Sequence, residues 1–501
     1  MLEQLYLVLP MSIIIIAAFV LMLLSHHKSF DLNKLNLVAV LFLVISLAIV
    51  IKQFREIESS YLFLDIIGEI FIVDTFALLF DLMFITGTIL TLLINTDYFH
   101  SRHYFNGEYF ALLLFSLFGM ILLAHSHELV TSFIALEIAS LSIYALVGYH
   151  KNNRISSEAM MKYLILGAIT SVFFILGTAL IYGAVGSTTL SDIATYTNEN
   201  INNKEDLVLV ITGATFIMIT ILFKIGAVPF HAWVVDVYQG APFPVTMFMA
   251  STFKIAIFAI ALRLYLVDFV SLHGLWTTIL QTITILTLLG GSWLAITQTS
   301  IKRMLAGSSI VHSGYMLIAV TSIGLGSQLA APAVMFYLIA YFLSSVGAFG
   351  ILSYISAGGK KQLTYEDFKG FSERRPYLSI MMSIFMLSLA GFPSTIGFLG
   401  KFYIFTAAVE SGQFLIAGLG ILMAFISVYY YFKLIAMMYF YPKNEKQKPL
   451  RYTFSSLLII LMAVLIILGG IGTSLIPYAP SADGLIDMAQ VAIESLKPIV
   501  Q

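Results

Sequence analysis

The chain has 501 residues, 59% of them hydrophobic and 11% charged, with a formal net charge of −1 at pH 7. So little polar surface excludes a soluble domain of this length and marks an integral membrane protein. Cysteine is absent, which removes disulfides, thiolate-ligated iron–sulfur clusters and cysteine nucleophiles from this chain.

Windows of about 20 apolar residues predict an all-α polytopic membrane protein with about fourteen spans. They are centred near residues 15, 43, 83, 116, 138, 171, 218, 254, 285, 313, 342, 390, 426 and 465. The first begins almost at Met1, with no basic leader or small-residue cleavage site before the next polar loop. It is expected to be a retained helix and not a signal peptide. No phosphate-cradling glycine motif precedes a plausible helix, so nucleotide hydrolysis is not the expected energy source.

Lysine and arginine accumulate on the cytoplasmic side of membrane proteins. Loops after odd-numbered spans hold sixteen of them, among them Arg102, Lys151, Arg154, Lys302 and Arg303. Loops after even-numbered spans, with the tail, hold five: Lys52, Arg55, Lys204, Arg263 and Lys497. Both termini are therefore expected on the periplasmic side of a bacterial cytoplasmic membrane. Lys433, near the end of span thirteen, is expected to snorkel.

Four lysines, Lys162, Lys224, Lys254 and Lys401, sit inside stretches otherwise apolar enough to span a membrane. A charge at that depth costs roughly 2.5 to 3.5 kcal/mol on insertion scales. Prolines interrupt two of these stretches, in GAVPFHAW around Pro229 and AGFPSTIG around Pro393. The prolines lie 393 − 229 = 164 positions apart, an offset that lays spans four to eight over spans nine to thirteen. Five spans is an odd number, so the second copy enters from the opposite side, and two inverted five-helix repeats are expected, each with a broken helix. The expected organisation is residues 1–105 (helices one to three), 106–270 (first repeat), 271–440 (second repeat) and 441–501 (last helix and tail). Proline lacks an N–H and its ring clashes with the carbonyl four residues earlier. The breaks should free the carbonyls of Ile225 and Leu389, which then need water or side-chain donors.

Glu137 lies roughly nine residues into span five, about 13 Å along the helix and near mid-membrane. Burial disfavours the charged forms of a carboxylate and an ammonium, and mutual proximity restores them, so a Glu–Lys pair of adjustable separation is a proton switch. Lys224 is the expected partner of Glu137, with Lys162 as competitor; a static buried ion pair is the plainer alternative. His312 on span ten, with Ser308, Ser309 and Tyr315 within about a turn, is a relay candidate or a satisfied interior histidine. His231 would sit at a water-filled mouth. His125 and His127 are expected to face solvent, Asp74 and Asp81 to serve packing or an interface, and Glu410 to be exposed.

These residues resemble a known family, the antiporter-like, proton-translocating membrane subunits of NADH:quinone oxidoreductase, respiratory complex I, and within it the N subunits most. The resemblance rests on FIALEIASLSIYALVGY with Glu137, SSEAMMKYLILGA with Lys162, FKIGAVPFHAWVVDVYQGAP with Lys224 and MASTFKIAIF with Lys254. KRMLAGSSIVHSGY, and LSLAGFPSTIGFLGKFYIF with Lys401, extend it across residues 70–440. Val235, Gln239, Gly307 and Ser394 stand where the family often has proline, glutamate, tyrosine and proline. The resemblance implies proton passage from Lys224, governed by Glu137, through Lys254 to Lys401. It further implies no cofactor in this chain, with NADH, FMN, iron–sulfur clusters and quinone in partner subunits. Neighbouring antiporter-like and small membrane subunits are the implied partners. A subunit of a multisubunit sodium/proton antiporter or of a membrane-bound hydrogenase is the alternative within the same superfamily.

Overall fold

The computed structural model describes residues 2–27, 31–57, 61–63, 70–201, 204–267, 269, 272–358, 363–442, 453–471 and 482–496. Helices α1 (Leu2–Leu24) and α2 (Leu32–Glu56) form an antiparallel pair. A short hairpin of β1 (Tyr61–Phe63) and β2 (Ile72–Asp74) leads into α3 (Thr75–Ile94). Asp74 ends β2 and caps α3, its carboxylate accepting from the Ala77 N–H at 2.7 Å, the usual use of an aspartate at that position.

After the short α4 (Thr96–Ser101) come α5 (Gly107–His125), α6 (Leu129–Val147), α7 (Arg154–Val185), the amphipathic α8 (Leu190–Glu199) and α9 (Lys204–Ile225). Here the first proline break intervenes. The half-helix α10 (Val234–Gly240) then leads into one continuous span made of α11 (Phe243–Phe248), a π turn over Met249–Phe253 and α12 (Lys254–Leu266). The second set begins with α13 (His273–Thr297), α14 (Ile301–Ile323) and α15 (Ala330–Ala357). The one-turn α16 (Phe371–Arg374) precedes α17 (Pro376–Ala390), the second break, α18 (Ile396–Glu410) and α19 (Phe414–Phe440). Helices α20 (Phe454–Ile471) and α21 (Ala482–Glu494) close the described chain.

Thirteen helices among the described residues are long and apolar enough to cross a membrane. The hydropathy windows give one more, centred near residue 390, where the chain instead forms two fifteen-residue helices, α17 and α18, on either side of the second break. Burial grades inward. Over their spanning windows the α11–α12 helix and α14 are wholly buried, α15 is 89% buried, and α1 is 28% buried. Polar groups inside the spanning windows of α12 and α14 therefore face protein on every side, and protein must satisfy them.

Both breaks end their helices the same way. Gly226 (φ 74°) and Gly391 (φ 83°) adopt the left-handed conformation that glycine takes without penalty. The next N–H reaches back five residues, from Ala227 to the Leu222 carbonyl at 2.9 Å and from Phe392 to the Leu387 carbonyl at 2.9 Å. That is the Schellman motif, written twice. The glycines are 391 − 226 = 165 positions apart and the prolines 164, so the second break is one residue shorter. Ser394 stands at φ 68°, a conformation closed to the proline often found there in the family. Gly307, in place of a frequent tyrosine, lies against α13, where even a Cβ would come within 2.6 Å of the Ala295 nitrogen.

Several polar groups are placed differently from expectation. His125 and His127 are buried, not solvent-facing, because the β hairpin and α8 fold over them. The His125 Nε2 bonds the Asp81 carboxylate at 2.8 Å and its Nδ1 the Ile72 carbonyl. Arg263 is no loop residue. It is fully buried, donating to both Asp74 oxygens at 2.9 and 3.1 Å and to the Ala124 carbonyl at 2.8 Å. Asp74 and Asp81 do serve packing, through these two pairs. Lys302 is also no loop residue but 6% exposed. Glu410 is exposed, as expected.

Candidate functional site

Three of the four lysines stand inside the protein, each with neutral partners and a tyrosine ring. Lys224, on the last turn of α9, donates to the Ser140 Oγ at 2.7 Å and the Tyr144 hydroxyl at 3.0 Å, 5.3 Å from that ring's centroid. Lys254, on the first turn of α12, donates to the Ser309 carbonyl at 2.8 Å, the Ser309 hydroxyl, and the Ser313 hydroxyl at 3.0 Å, with the Tyr341 ring at 5.4 Å. Lys401, on α18, donates to the carbonyls of Leu389 at 2.9 Å and Ala390 at 2.8 Å, with the Tyr315 ring at 4.8 Å. All three ammonium groups find donors' work to do, and ring contacts of this kind add roughly 0.5 to 2 kcal/mol. No carboxylate lies within 4 Å of any of them among the described residues.

The freed carbonyls account for part of this pattern. The Leu389 carbonyl is taken by Lys401, and the Ile225 carbonyl accepts from the Ser313 hydroxyl at 2.8 Å. Gly391 serves both the turn and the lysine, since a Cβ there would stand 2.8 Å from the Lys401 Cδ.

Between the lysines runs a line of hydroxyl and imidazole groups. Next to Lys224, the Ile225 carbonyl meets Ser313, and Ser313 meets Lys254. One turn along α14 from Ser308, His312 bonds the Tyr337 hydroxyl through Nδ1 and the Tyr431 hydroxyl at 3.0 Å through Nε2. Tyr431 bonds Ser308 in turn. The His312 ring lies 4.8 Å from that of Tyr341, which faces Lys254, and 5.8 Å from that of Tyr315, which faces Lys401. His312 is thus a fully partnered interior histidine seated between two of the lysines.

The expected Glu137–Lys224 ion pair is not formed. The Glu137 carboxylate accepts from Ser171 on α7, while Lys224 takes Ser140 and Tyr144. Residues 137, 140 and 144 lie on one stripe of α6, so carboxylate and ammonium are offset by about one turn with Ser140 between them. Lys162 is corrected further. Its side chain is 44% exposed on the outer face of α7 and pairs with Glu158 and Asp236, both at 2.9 Å, so it joins neither Glu137 nor the interior line. His231 is only half-buried, after the first break.

Asp236 escaped the sequence reading. One turn after the break, it ties α10 to α7 through Lys162 and to α14 through Arg303 at 3.2 Å. Burial raises this carboxyl, but the bonds and charges of Lys162 and Arg303 outweigh it and hold the group below the usual carboxylate range. Gln239, where the family often has glutamate, bonds the same arginine. Tyr315 was expected beside His312; the tyrosines 144, 337, 341 and 431 carry no sequence signal beyond an aromatic residue in an apolar helix.

Over residues 126–427 the chain matches the family described as NADH:quinone oxidoreductase/Mrp antiporter, TM. It is 40% identical to NADH-quinone oxidoreductase subunit N of Trichlorobacter lovleyi over 376 residues, 75% of this chain and 76% of that one. The fold matches a chain of respiratory complex I from Thermus thermophilus with bound aureothin, with a TM-score of 0.76, 28% identity, and coverage of 92% and 96% of the two chains. It matches a chain of the membrane-bound sulfane sulfur reductase, an archaeal respiratory membrane complex, with a TM-score of 0.87, 26% identity and 99% coverage of each. The chain belongs to the NADH:quinone oxidoreductase/Mrp antiporter family of membrane proteins, among its subunit N members.

Proposed function

We propose that this chain is a proton-translocating subunit in the membrane arm of an NADH:quinone oxidoreductase and contains no redox centre. NADH, FMN, iron–sulfur clusters and quinone belong to partner subunits, whose redox chemistry drives the pump. The observation that carries this reading is the set Lys224, Lys254 and Lys401, each buried against hydroxyls, carbonyls and a tyrosine ring with no carboxylate to fix its charge. A purely structural lysine is expected to have a counter-ion, because an uncompensated buried charge is strongly destabilising.

In this account Glu137 is the switch. A small slide of α9 along α6 moves the ammonium of Lys224 from Tyr144 toward Glu137, trading a neutral partner for an anionic one. In the first state the proton is free to pass by way of Ser313 to Lys254; in the second it is held. Lys254 hands on through Ser309 to His312, whose two ring nitrogens accept on one side and donate on the other. The Tyr315 and Tyr337 side chains line the remaining step to Lys401, from which the proton leaves. Lys162 positions α7 against α10 and takes no part in transfer.

The two five-helix units, residues 106–270 and 271–440, act as inverted halves of this path, with residues 1–105 and 441–501 flanking them. Support comes from the paired Schellman caps at Gly226 and Gly391. Both termini lie on the periplasmic face in this reading, which the excess of basic residues in the loops after odd-numbered spans supports. The test is native-gel sizing of the gently solubilised, tagged chain with an in-gel NADH dehydrogenase stain. A large staining assembly is expected; a small unstained one favours the sodium/proton antiporter alternative.

A further inference from the structure

We infer that Lys302 is a fourth relay lysine, the intake group that passes protons from a polar cavity on the basic face inward to Lys254. The inference rests on the function proposed above and adds to it a residue and a route. The cavity, of about 70 Å³, is lined among others by Arg102, His150, Asn153, Gln239, Lys302 and Ser356. Every one of these belongs to the turns and helix ends on the side of the odd-numbered loops, the face richest in lysine and arginine. No carboxylate lines it. A polar space of this size holds several waters.

Lys302 closes the inner wall of the cavity. It is 6% exposed, donates to the Ala241 carbonyl, and lies 4.3 Å over the Phe243 ring. A cation in the first turn of a helix opposes the helix dipole, and Lys302 is the second residue of α14. Burying it there works against helix stability, and the surface tie between α14 and α10 is already made by Arg303 through Asp236 and Gln239. The Ala241 carbonyl, at the end of α10, gives the ammonium an acceptor, but a buried charge without a counter-ion still needs a further reason.

Its placement gives one. Lys302 and Ser309 are seven residues apart on α14, two turns along one face, a rise of about 10 Å. Helix α10 runs beside this face. Ala241, just past its end, accepts from Lys302, and Tyr238 one turn earlier reaches the Ser309 hydroxyl at 3.4 Å. Ser309 holds Lys254. Two hydrogen-bonded waters span about 8 Å, enough to join Lys302 to Tyr238 and Ser309. The ammonium of Lys302 gives a proton inward along this line, and the amine so formed takes up a proton that the cavity water relays from the bulk on the basic side, so charge balances without any co-reactant.

The test compares Lys302→Arg, Tyr238→Phe and Lys254→Met with the wild type in the assembled complex, reading NADH-driven acidification of inverted vesicles. Arginine keeps the charge, the donor to Ala241 and the ring contact, yet cannot deprotonate. Lys302→Arg is expected to assemble and to pump about threefold more slowly or worse, with a larger solvent deuterium isotope effect on NADH oxidation. Wild-type pumping in Lys302→Arg beside a slow Lys254→Met overturns the role of Lys302 alone. Wild-type pumping in Lys254→Met overturns the functional reading itself. Should Lys302→Arg not assemble, Tyr238→Phe, which loses one hydroxyl and no volume, decides: slowed pumping supports the route and unchanged pumping overturns it.

Discussion

The ammonium of Lys401 donates to the carbonyl of Leu389 at 2.9 Å, across the second helix break and twelve residues back along the chain. The break that frees the carbonyl also makes the site for the lysine. Helix rupture, glycine turn and buried charge are thus one local solution, in which the unpaired backbone replaces the counter-ion.

Lys401→Met removes the donor and leaves two buried carbonyls unpaired, each costing about 1 to 3 kcal/mol. Pumping should be lost and the complex should inactivate at lower temperature. Lys401→Arg keeps donors for both carbonyls and should recover thermal tolerance without recovering pumping. Heat-inactivation curves and vesicle acidification, measured on the same preparations, separate the two effects; an arginine variant that pumps normally would remove Lys401 from the path.

Because Glu137 and Lys224 do not touch, their substitutions should not behave as a broken static ion pair. Glu137→Gln is expected to cut pumping severalfold while changing stability by less than about 1 kcal/mol, since Ser171 can still donate to the amide oxygen. A loss of about 3 kcal/mol or more, the usual result of stranding a buried partner, would point to a fixed pair instead. Lys224→Ala should slow proton transfer and coupled NADH oxidation together.

The Arg263–Asp74 pair is fully buried and lies apart from the lysine line. Arg263→Met should destabilise by roughly 3 to 5 kcal/mol, because Asp74 is left as an uncompensated buried charge. The double variant Arg263→Met with Asp74→Asn should recover part of that loss. Assembly yield and heat inactivation are the readouts, and equal losses in the single and double variants would argue against the pair.

His127, between α5 and α6, is pushed down to about 4 from its ordinary value by burial and, less strongly, by the Arg263 charge. Between that value and about 6.5 the unfolded chain binds a proton that the folded chain refuses, so stability rises with pH across this window. Heat tolerance of the solubilised complex should therefore fall on going from pH 7 to pH 5. His127→Gln should shrink the fall, and an undiminished fall would assign it to other groups.

The spans and both breaks were legible in the sequence because hydropathy and proline act locally. Lys254 was legible as a buried group because it sits in mid-span, and Lys224 and Lys401 because each sits beside a proline break whose freed carbonyls need donors. Lys162 was not, since a lysine in an apolar run can face inward or outward and no amphipathic pattern on α7 decides between them. His125, His127, Arg263 and Lys302 were misplaced for the opposite reason. They lie at span ends, where polar residues usually meet water, and here the β hairpin, α8 and α10 fold over them. The Glu137–Lys224 offset depends on the relative height of α6 and α9, which only packing sets. Asp236 and the tyrosine partners other than Tyr315 were missed because their roles exist only between helices distant in sequence.

The most direct test of the central claim is the proton-to-electron ratio of NADH oxidation in proteoliposomes holding the complex with Lys254→Met. Lys254 touches both Ser309 and Ser313 and so joins the two halves of the line. A ratio lowered in the variant, or turnover slowed with pumping, is the predicted result. A wild-type ratio at wild-type turnover would contradict a proton path through these lysines.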